Sequence, residues 1–252
     1  MLDLNNPQTR QNILQERLDL GAPLVAATLA EELGISIDTV RRDLIALEQR
    51  GLVRRVRGGA IPVPQSSPPY AVRAAAPDPG IEPLADKAVL LIPGDATVFL
   101  DAGTTMNAIA ARLPEGFGGL IVTPAPSVAL AALTRGARVQ MIGGALCPEA
   151  AMATGGDAER AVGEIAADLC FLGACGLWPE FGLSAESAAE AGVKRSMALA
   201  AARTVVVATS GKLERLGSHR VLALGEIDGL VTDGAPTLLK AFQDAGVEVI
   251  RV

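Results

Sequence analysis

Two hydrophobic patterns divide the chain. Over the first fifty residues apolar positions recur at three- and four-residue spacing, the period of helices that bury one face. Ile13, Leu14, Leu18 and Leu20 form a first stripe, and Leu29 and Leu33 mark a second helix that stops at Gly34. Ser36 offers an N-cap for a third helix, with Asp38 in the first turn, where the helix dipole favours negative charge. Val40, Leu44 and Leu47 predict the buried face of that helix, Gly51 its end, and Thr39 and Arg42 point elsewhere. Leu52 to Val56 followed by Gly58-Gly59 predicts a strand and a tight turn. Three short helices and such a wing outline a winged helix-turn-helix.

Further along, short apolar runs alternate with Ala-rich helical stretches. Strands are predicted at Val98 to Leu100, Leu120 to Val122, Val139 to Ile142, Leu169 to Leu172, Val205 to Val207, Leu230-Val231 and Val247 to Ile250. Helices are predicted from Met106 to Leu113 and from Val128 to Leu133. Continuous apolar strands joined by helices imply an α/β domain with a mostly parallel sheet. Ligands of such sheets bind beyond the carboxyl ends of the strands. Between the two patterns, Pro62, Pro64, Pro68, Pro69, Pro77 and Pro79 crowd one stretch with Gln65, Ser66 and Ser67, which predicts a linker. The expected organisation is a winged head over 1–61, a linker over 62–80 and an α/β domain over 81–252.

Composition narrows the class. With 252 residues, 50% hydrophobic and 20% charged, the chain is too apolar for disorder, and 3% aromatic content predicts a core of Ala, Leu, Val and Ile. Every apolar run is interrupted short of a membrane span, and the N-terminus lacks a basic start followed by an apolar stretch, so a cytoplasmic location is expected. Cys147, Cys170 and Cys175 lack a paired-ligand spacing, and His219, in a polar stretch from Glu214 to Arg220 that reads as a surface loop, is the single histidine. No metal site, cofactor, disulfide framework or histidine-dependent triad is predicted. The net charge of −6 argues against nucleic acid until it is resolved by region. Residues 1–60 balance eight Arg against eight acids, and within 41–57 six arginines meet only Asp43 and Glu48. An acidic chain thus carries a basic face.

Arg41, Arg42, Arg54, Arg55 and Arg57 suit phosphate contacts, and Ser36, Asp38 and Thr39, at the start of the third helix, could approach base edges. In the α/β part, Asp101-Ala102-Gly103-Thr104-Thr105 follows a strand and leads into a helix. Gly103 permits close backbone approach, Thr104 and Thr105 offer hydroxyls, and free N–H groups at the helix start attract an anion. Lys212 follows another strand through Thr209-Ser210-Gly211, where its ammonium could meet a phosphate or a sugar hydroxyl. Lys194 stands four residues after Glu190, as either a surface ion pair or a site pair. Asp168, at a strand edge, is open to both readings too.

Taken together, Leu33 to Leu44 with Leu47-Glu48, Gly51 and Arg57-Gly58-Gly59-Ala60 closely resemble the N-terminal signature of the DeoR family of bacterial transcriptional repressors. The resemblance extends through Phe99 to Thr105, Gly143-Gly144, Asp168 with Phe171-Leu172-Gly173, Val193-Lys194-Arg195, Ser210 with Lys212, and Thr232-Asp233. It implies a regulator that binds double-stranded operator DNA as a homodimer or homotetramer and responds to a phosphorylated sugar or related metabolite. It also implies a sensor similar in fold to ribose-5-phosphate isomerase, and adds Thr123 to the effector candidates Asp101, Gly103, Thr104, Thr105, Asp168, Glu190, Lys194, Ser210 and Lys212. Two segments depart from the family pattern: Thr123-Pro124-Ala125 replaces Thr-Asn-Ser, and Thr209-Ser210-Gly211-Lys212 replaces Asp-Ser-Ser-Lys. The anion-binding part is better kept than the part that reads hydroxyls, which points to an unusual effector or to weak binding of common hexose phosphates. The alternative is a sugar-phosphate isomerase with an accessory DNA-binding head, using Asp101, Asp168 or Glu190 as base and Lys194 to stabilise charge.

Overall fold

The structure, a computed structural model, describes residues 6–19, 24–56, 58–62, 67–76, 78–213 and 215–252. The chain divides into two compact units, one of residues 1–65 with 214–216, the other of 66–213 with 217–252.

In the first unit the elements run α1 (Pro7–Asp19), β1 (Leu24–Val25), α2 (Ala26–Leu33), α3 (Ile37–Gln49), β2 (Val53–Val56) and β3 (Gly59–Pro62). The predicted stripes meet in one small core of Leu14, Leu18, Leu29, Val40, Leu44 and Leu47, closed by Leu24 and Val53; Leu20 lies outside the described residues. Gly34 ends α2 in the left-handed conformation (φ 62°, ψ 34°), which a side chain would resist, and turns the chain directly into α3. Ser36 caps α3 as predicted, its Oγ accepting the Thr39 N–H at 3.1 Å. The wing is a three-stranded antiparallel sheet of order β1-β3-β2, and β1 is a strand that no sequence pattern announced. Asp43, an apparent surface acid, is instead buried on α3, where Arg10 of α1 donates to both of its oxygens at 2.7 and 3.1 Å. Its charge is therefore spent inside the unit.

The second unit begins with α4 (Tyr70–Ala75) and α5 (Ile81–Val89). The proline-rich stretch thus holds a short helix, with Pro69 at its N-cap. Then follow β4 (Thr97–Leu100), α6 (Thr104–Ala110), β5 (Leu120–Thr123), α7 (Pro126–Thr134), β6 (Arg138–Met141), β7 (Ala145–Cys147), β8 (Met152–Thr154), α8 (Gly156–Gly163) and β9 (Leu169–Gly173). The chain continues through β10 (Gly176–Trp178), β11 (Gly182–Ala185), α9 (Ala188–Leu199), β12 (Thr204–Val207), β13 (His219–Leu222), β14 (Gly229–Thr232), α10 (Pro236–Asp244) and β15 (Glu248–Arg251). The seven predicted strands pair into one parallel sheet of order β15-β14-β12-β9-β4-β5-β6. Its central strands are buried on both faces, with Phe99, Phe171, Leu172, Val205 and Val206 fully enclosed. An antiparallel sheet β10-β11-β13 and a hairpin β7-β8 are added to this frame. His219 opens β13 and is exposed, where a loop was expected, because its strand is recruited by β11 across a long sequence separation.

Strand order reverses once. From β4 the chain steps outward to β5 and β6, whereas from β9 it steps the other way to β12, β14 and β15. Right-handed crossovers place the helices of these two series on opposite faces, leaving a crevice between the carboxyl ends of β4 and β9. No helix among the described residues is long and apolar enough to cross a membrane.

Candidate functional site

The head presents its polar face through α3. Arg41 and Arg42 are exposed, and among the described residues Arg41 Nη1 meets only the equally exposed Asp38, at 3.1 Å. Ser36 is exposed and Thr39 partly so, their hydroxyls 2.9 Å apart. Arg55, on β2, shares with Arg41 the walls of a recess of about 220 Å³ completed by Ala26, Ala27, Ile37, Leu44, Gly58 and Gly59. Helix α3 and the wing therefore each contribute an arginine to one surface. Arg54 belongs to β2, but its side chain and the whole of Arg57 lie outside the described residues. Exposed arginine on α3 and on the wing is what contact with two stretches of a duplex backbone requires.

In the second unit, a cleft of about 230 Å³ opens at the switch point. Ala102, Gly103, Thr104 and Thr105 after β4, Ala174 and Cys175 after β9, and Ala208 and Thr209 after β12 line it, joined by Glu190, Lys194 and Lys212. Gly103 adopts φ 108°, a backbone conformation closed to most side chains, and a Cβ there would stand 3.7 Å from Arg73 Nη1. Arg73 is the residue that sequence reasoning missed. It comes from α4, in the stretch read as linker, and its Nε donates to the Pro68 carbonyl at 3.0 Å. No periodicity or motif announces it; only the fold of residues 67–76 against this unit brings it to Gly103. Tyr70 fastens the same helix, its N–H donating to the Glu149 carbonyl at 2.9 Å and its hydroxyl accepting from Asn107 of α6. Lys212 Nζ reaches Ser67 Oγ at 3.5 Å.

Behind the cleft lies a buried charge cluster. Lys194 Nζ donates to the Gly173 carbonyl and to Asp101 Oδ2, both at 2.9 Å, and to Glu190 Oε1 at 3.1 Å. All three side chains are buried, so the surface ion pair considered for Glu190 and Lys194 is not what forms. An ammonium has three hydrogens, and here each has an acceptor. Burial alone would push the Lys194 pKa down, but Asp101 and Glu190 outweigh it and hold the ammonium charged, above its ordinary value. Burial raises Asp101 despite Lys194. For Glu190 burial also acts upward, yet Lys194 and the Cys175 thiol hold it below the usual carboxylate value. Burial pushes the Cys175 thiol up to about 11, which makes it a poor nucleophile at neutral pH.

Three candidates stand apart from the cleft. Asp168 lies at the amino end of β9, opposite the switch point, where its Oδ2 accepts the Thr97 N–H at 2.8 Å. Thr123 is fully buried at the end of β5, its Oγ1 accepting the Ala125 N–H at 3.1 Å. Ser210 donates through its N–H and hydroxyl to Asp233. Each side chain is engaged in holding a loop or strand end. Among the described residues no group of three or more His, Cys, Asp or Glu is placed to hold a metal ion.

Two family models match the chain, the DeoR-like helix-turn-helix domain over residues 10–65 and the DeoR C terminal sensor domain over residues 82–234. The HTH-type transcriptional regulator GlpR of Haloferax volcanii is 35% identical over 227 residues, covering 88% of this chain and 89% of the relative. The HTH-type transcriptional repressor GlcR of Bacillus subtilis is 30% identical over 225 residues, covering 86% of each. Among solved structures, ribose 5-phosphate isomerase A from Methanocaldococcus jannaschii matches 53% of each chain with a TM-score of 0.40 at 15% identity. The named relatives are regulators and the head is a DNA-binding module, so the enzyme alternative is not favoured. A winged DNA-binding head followed by a sensor domain, matched along most of its length by such regulators, belongs to the DeoR family of transcriptional regulators.

Proposed function

We propose that this regulator represses a carbohydrate-metabolism operon and that a phosphorylated sugar or related metabolite, bound in the switch-point cleft, controls its hold on DNA. The reading rests chiefly on one observation: Arg73, beside Gly103, and Lys212 both line the cleft, while the three hydrogens of the Lys194 ammonium go to the Gly173 carbonyl, Asp101 and Glu190. The cations that meet the ligand's anion are then Arg73 and Lys212, with Thr104 and Thr105 supplying hydroxyls. Lys194 acts as the internal counter-charge that keeps Glu190 ionised at the cleft wall, where it can accept from a sugar hydroxyl. Asp101 supports this wall from behind through Lys194. Thr123, Asp168 and Ser210 fit loop-holding roles better than ligand contact. With the hydroxyls of Thr123 and Ser210 already engaged, the cleft reads fewer sugar hydroxyls than an anion, in keeping with an effector outside the common hexose phosphates.

The head, proposed to span 1–61, uses Arg41, Arg42 and the wing arginines for phosphates and Ser36, Asp38 and Thr39 near base edges. Residues 62–80 connect it to a sensor and oligomerisation domain over 81–252, and α4 within that stretch packs on the sensor and brings Arg73 to its cleft. A single head has too little interface for tight operator binding, so a homodimer or homotetramer is the working form. The test is a thermal-shift and calorimetric screen of the full chain against phosphorylated sugars and related metabolites. At least one should raise the melting temperature and bind saturably, and Arg73→Ala should remove the shift. A wild-type chain that no phosphorylated carbohydrate stabilises, or an Arg73→Ala variant that binds the same ligand unchanged, would refute the assignment.

A further inference from the structure

An acidic side chain stands on the surface where the head should meet a polyanion. Glu48, near the end of α3, is only partly covered and faces Arg55 on the wing. Its Oε1 accepts the Arg55 backbone N–H at 3.0 Å, and its Oε2 accepts Arg55 Nε at 2.6 Å. These two bonds hold different things. Among the described residues strand β2 is the outer strand of the wing, paired only with β3, so the Arg55 N–H points to an open edge, and Glu48 ties that edge to α3. The bond to Nε fixes the side chain, and the two Nη groups of Arg55 have no partner among the described residues. The two hydrogen bonds from Arg55 hold the Glu48 pKa below its ordinary value, so the carboxylate stays charged at neutral pH.

We propose that Glu48 is a positioning residue for DNA binding: it locks the wing to α3 and presents the Arg55 guanidinium, through its Nη edge, to a backbone phosphate. The proposal rests on the reading of Arg55 as a phosphate contact. Simple electrostatics makes the opposite forecast, since removing a negative charge from a DNA-facing surface strengthens binding to a polyanion. Pre-organisation of a long side chain reverses the sign. Without Glu48, Arg55 must be ordered upon docking; in Gln an NH2 donor takes the place of one of the two accepting oxygens and faces an N–H of Arg55, so one of the two bonds is lost in this geometry.

The experiment is a fluorescence-anisotropy titration of the full-length protein on a duplex from upstream of its own transcription unit, at several salt concentrations. It compares wild type, Glu48→Gln, Arg55→Ala and the double variant. Glu48→Gln should weaken binding about two- to tenfold, the scale of freezing one rotamer-rich side chain. Arg55→Ala should weaken it as well and lower the salt slope by about one phosphate contact. In the Arg55→Ala background, which keeps the backbone N–H bond to Glu48 and loses only the bond from Nε, Glu48→Gln should cost less than it does in wild type, because the ordering of the arginine side chain no longer contributes. A Glu48→Gln variant that binds as well as wild type while Arg55→Ala binds poorly overturns the positioning role, as does an equal loss in both backgrounds. An Arg55→Ala variant with unchanged affinity and salt slope overturns the phosphate contact itself, and the positioning role falls with it.

Discussion

Replacing Lys194 by Met probes the cluster on which the sensor cleft is built. Methionine keeps the length and most of the volume of the side chain, so cavity effects are small. What it removes is a counter-charge shared by two buried carboxylates, Asp101 with no exposed surface and Glu190 with 6%. Breaking a buried ion pair from one side costs about 3–5 kcal/mol, because the remaining charge is left uncompensated. For a unit of this size each kcal/mol lowers the melting temperature by about 2–4 °C, so a drop of about 6–20 °C is expected. Trp178, the single tryptophan of the chain, sits largely buried on β10 within the sensor unit, so its fluorescence follows the unfolding of that unit. Adding Asp101→Asn and Glu190→Gln to Lys194→Met removes the orphaned charges and should restore much of the loss. If Lys194→Met melts within 2 °C of wild type, about the shift that a 1 kcal/mol change produces, the buried triad is not holding this site together.

Two further outcomes follow from the same geometry. Because the folded-state pKa of Glu190 is depressed, its stabilisation is complete above the ordinary carboxylate value and is lost as pH falls through the folded value. Thermal melts between pH 7 and pH 3 should therefore show Glu190→Gln starting below wild type and converging with it in acid; parallel curves would contradict the assignment. In the head, Ser36→Ala removes the cap from α3 and should cost about 1 kcal/mol, whereas Ser36→Gly should cost only a few tenths. Far-UV circular dichroism under urea measures both, and equal stability of the alanine variant and wild type would show that the cap contributes nothing.

What was legible in the sequence was local. Ser36, Val40, Leu44, Leu47 and Gly51 carry helix start, face and stop within sixteen positions, and α3 forms where they place it. The seven apolar runs were recognisable as strands because both faces of a central parallel strand are buried, which leaves no polar alternation to confuse the pattern. Where a feature depends on distant partners, sequence is silent. Strands β10 and β11 are short and glycine-bounded, and β13 is recruited over more than thirty positions. Arg73 lies in a stretch whose prolines suggested only a tether, and its place beside Gly103 is set by tertiary packing. Asp43 entered the local charge balance with no sign of burial, and its partner in the core, Arg10, stands thirty-three positions away. Lys194 and Glu190 have the spacing of an ordinary surface pair, and only Asp101, delivered by the neighbouring strand, makes them a buried cluster. Sequence thus located the loops of the site, while the choice between ligand contact and structural support for Thr123, Asp168 and Ser210 needed the bonds each of them makes.

A basic head that grips DNA and a separate anion-binding cleft that controls it are the two parts of the proposed regulator. The most direct measurement is the affinity of the full-length protein for the duplex upstream of its own transcription unit and for a random duplex, across salt concentrations and with phosphorylated metabolites added. Expected are preference for its own sequence, a loss of about 0.9 log units of affinity per tenfold rise in salt for each phosphate neutralised, loss of binding in Arg41→Ala/Arg42→Ala, and a change in affinity on adding the correct metabolite. Equal affinity for random DNA, unchanged by the double substitution and by every phosphorylated carbohydrate, would contradict that proposal.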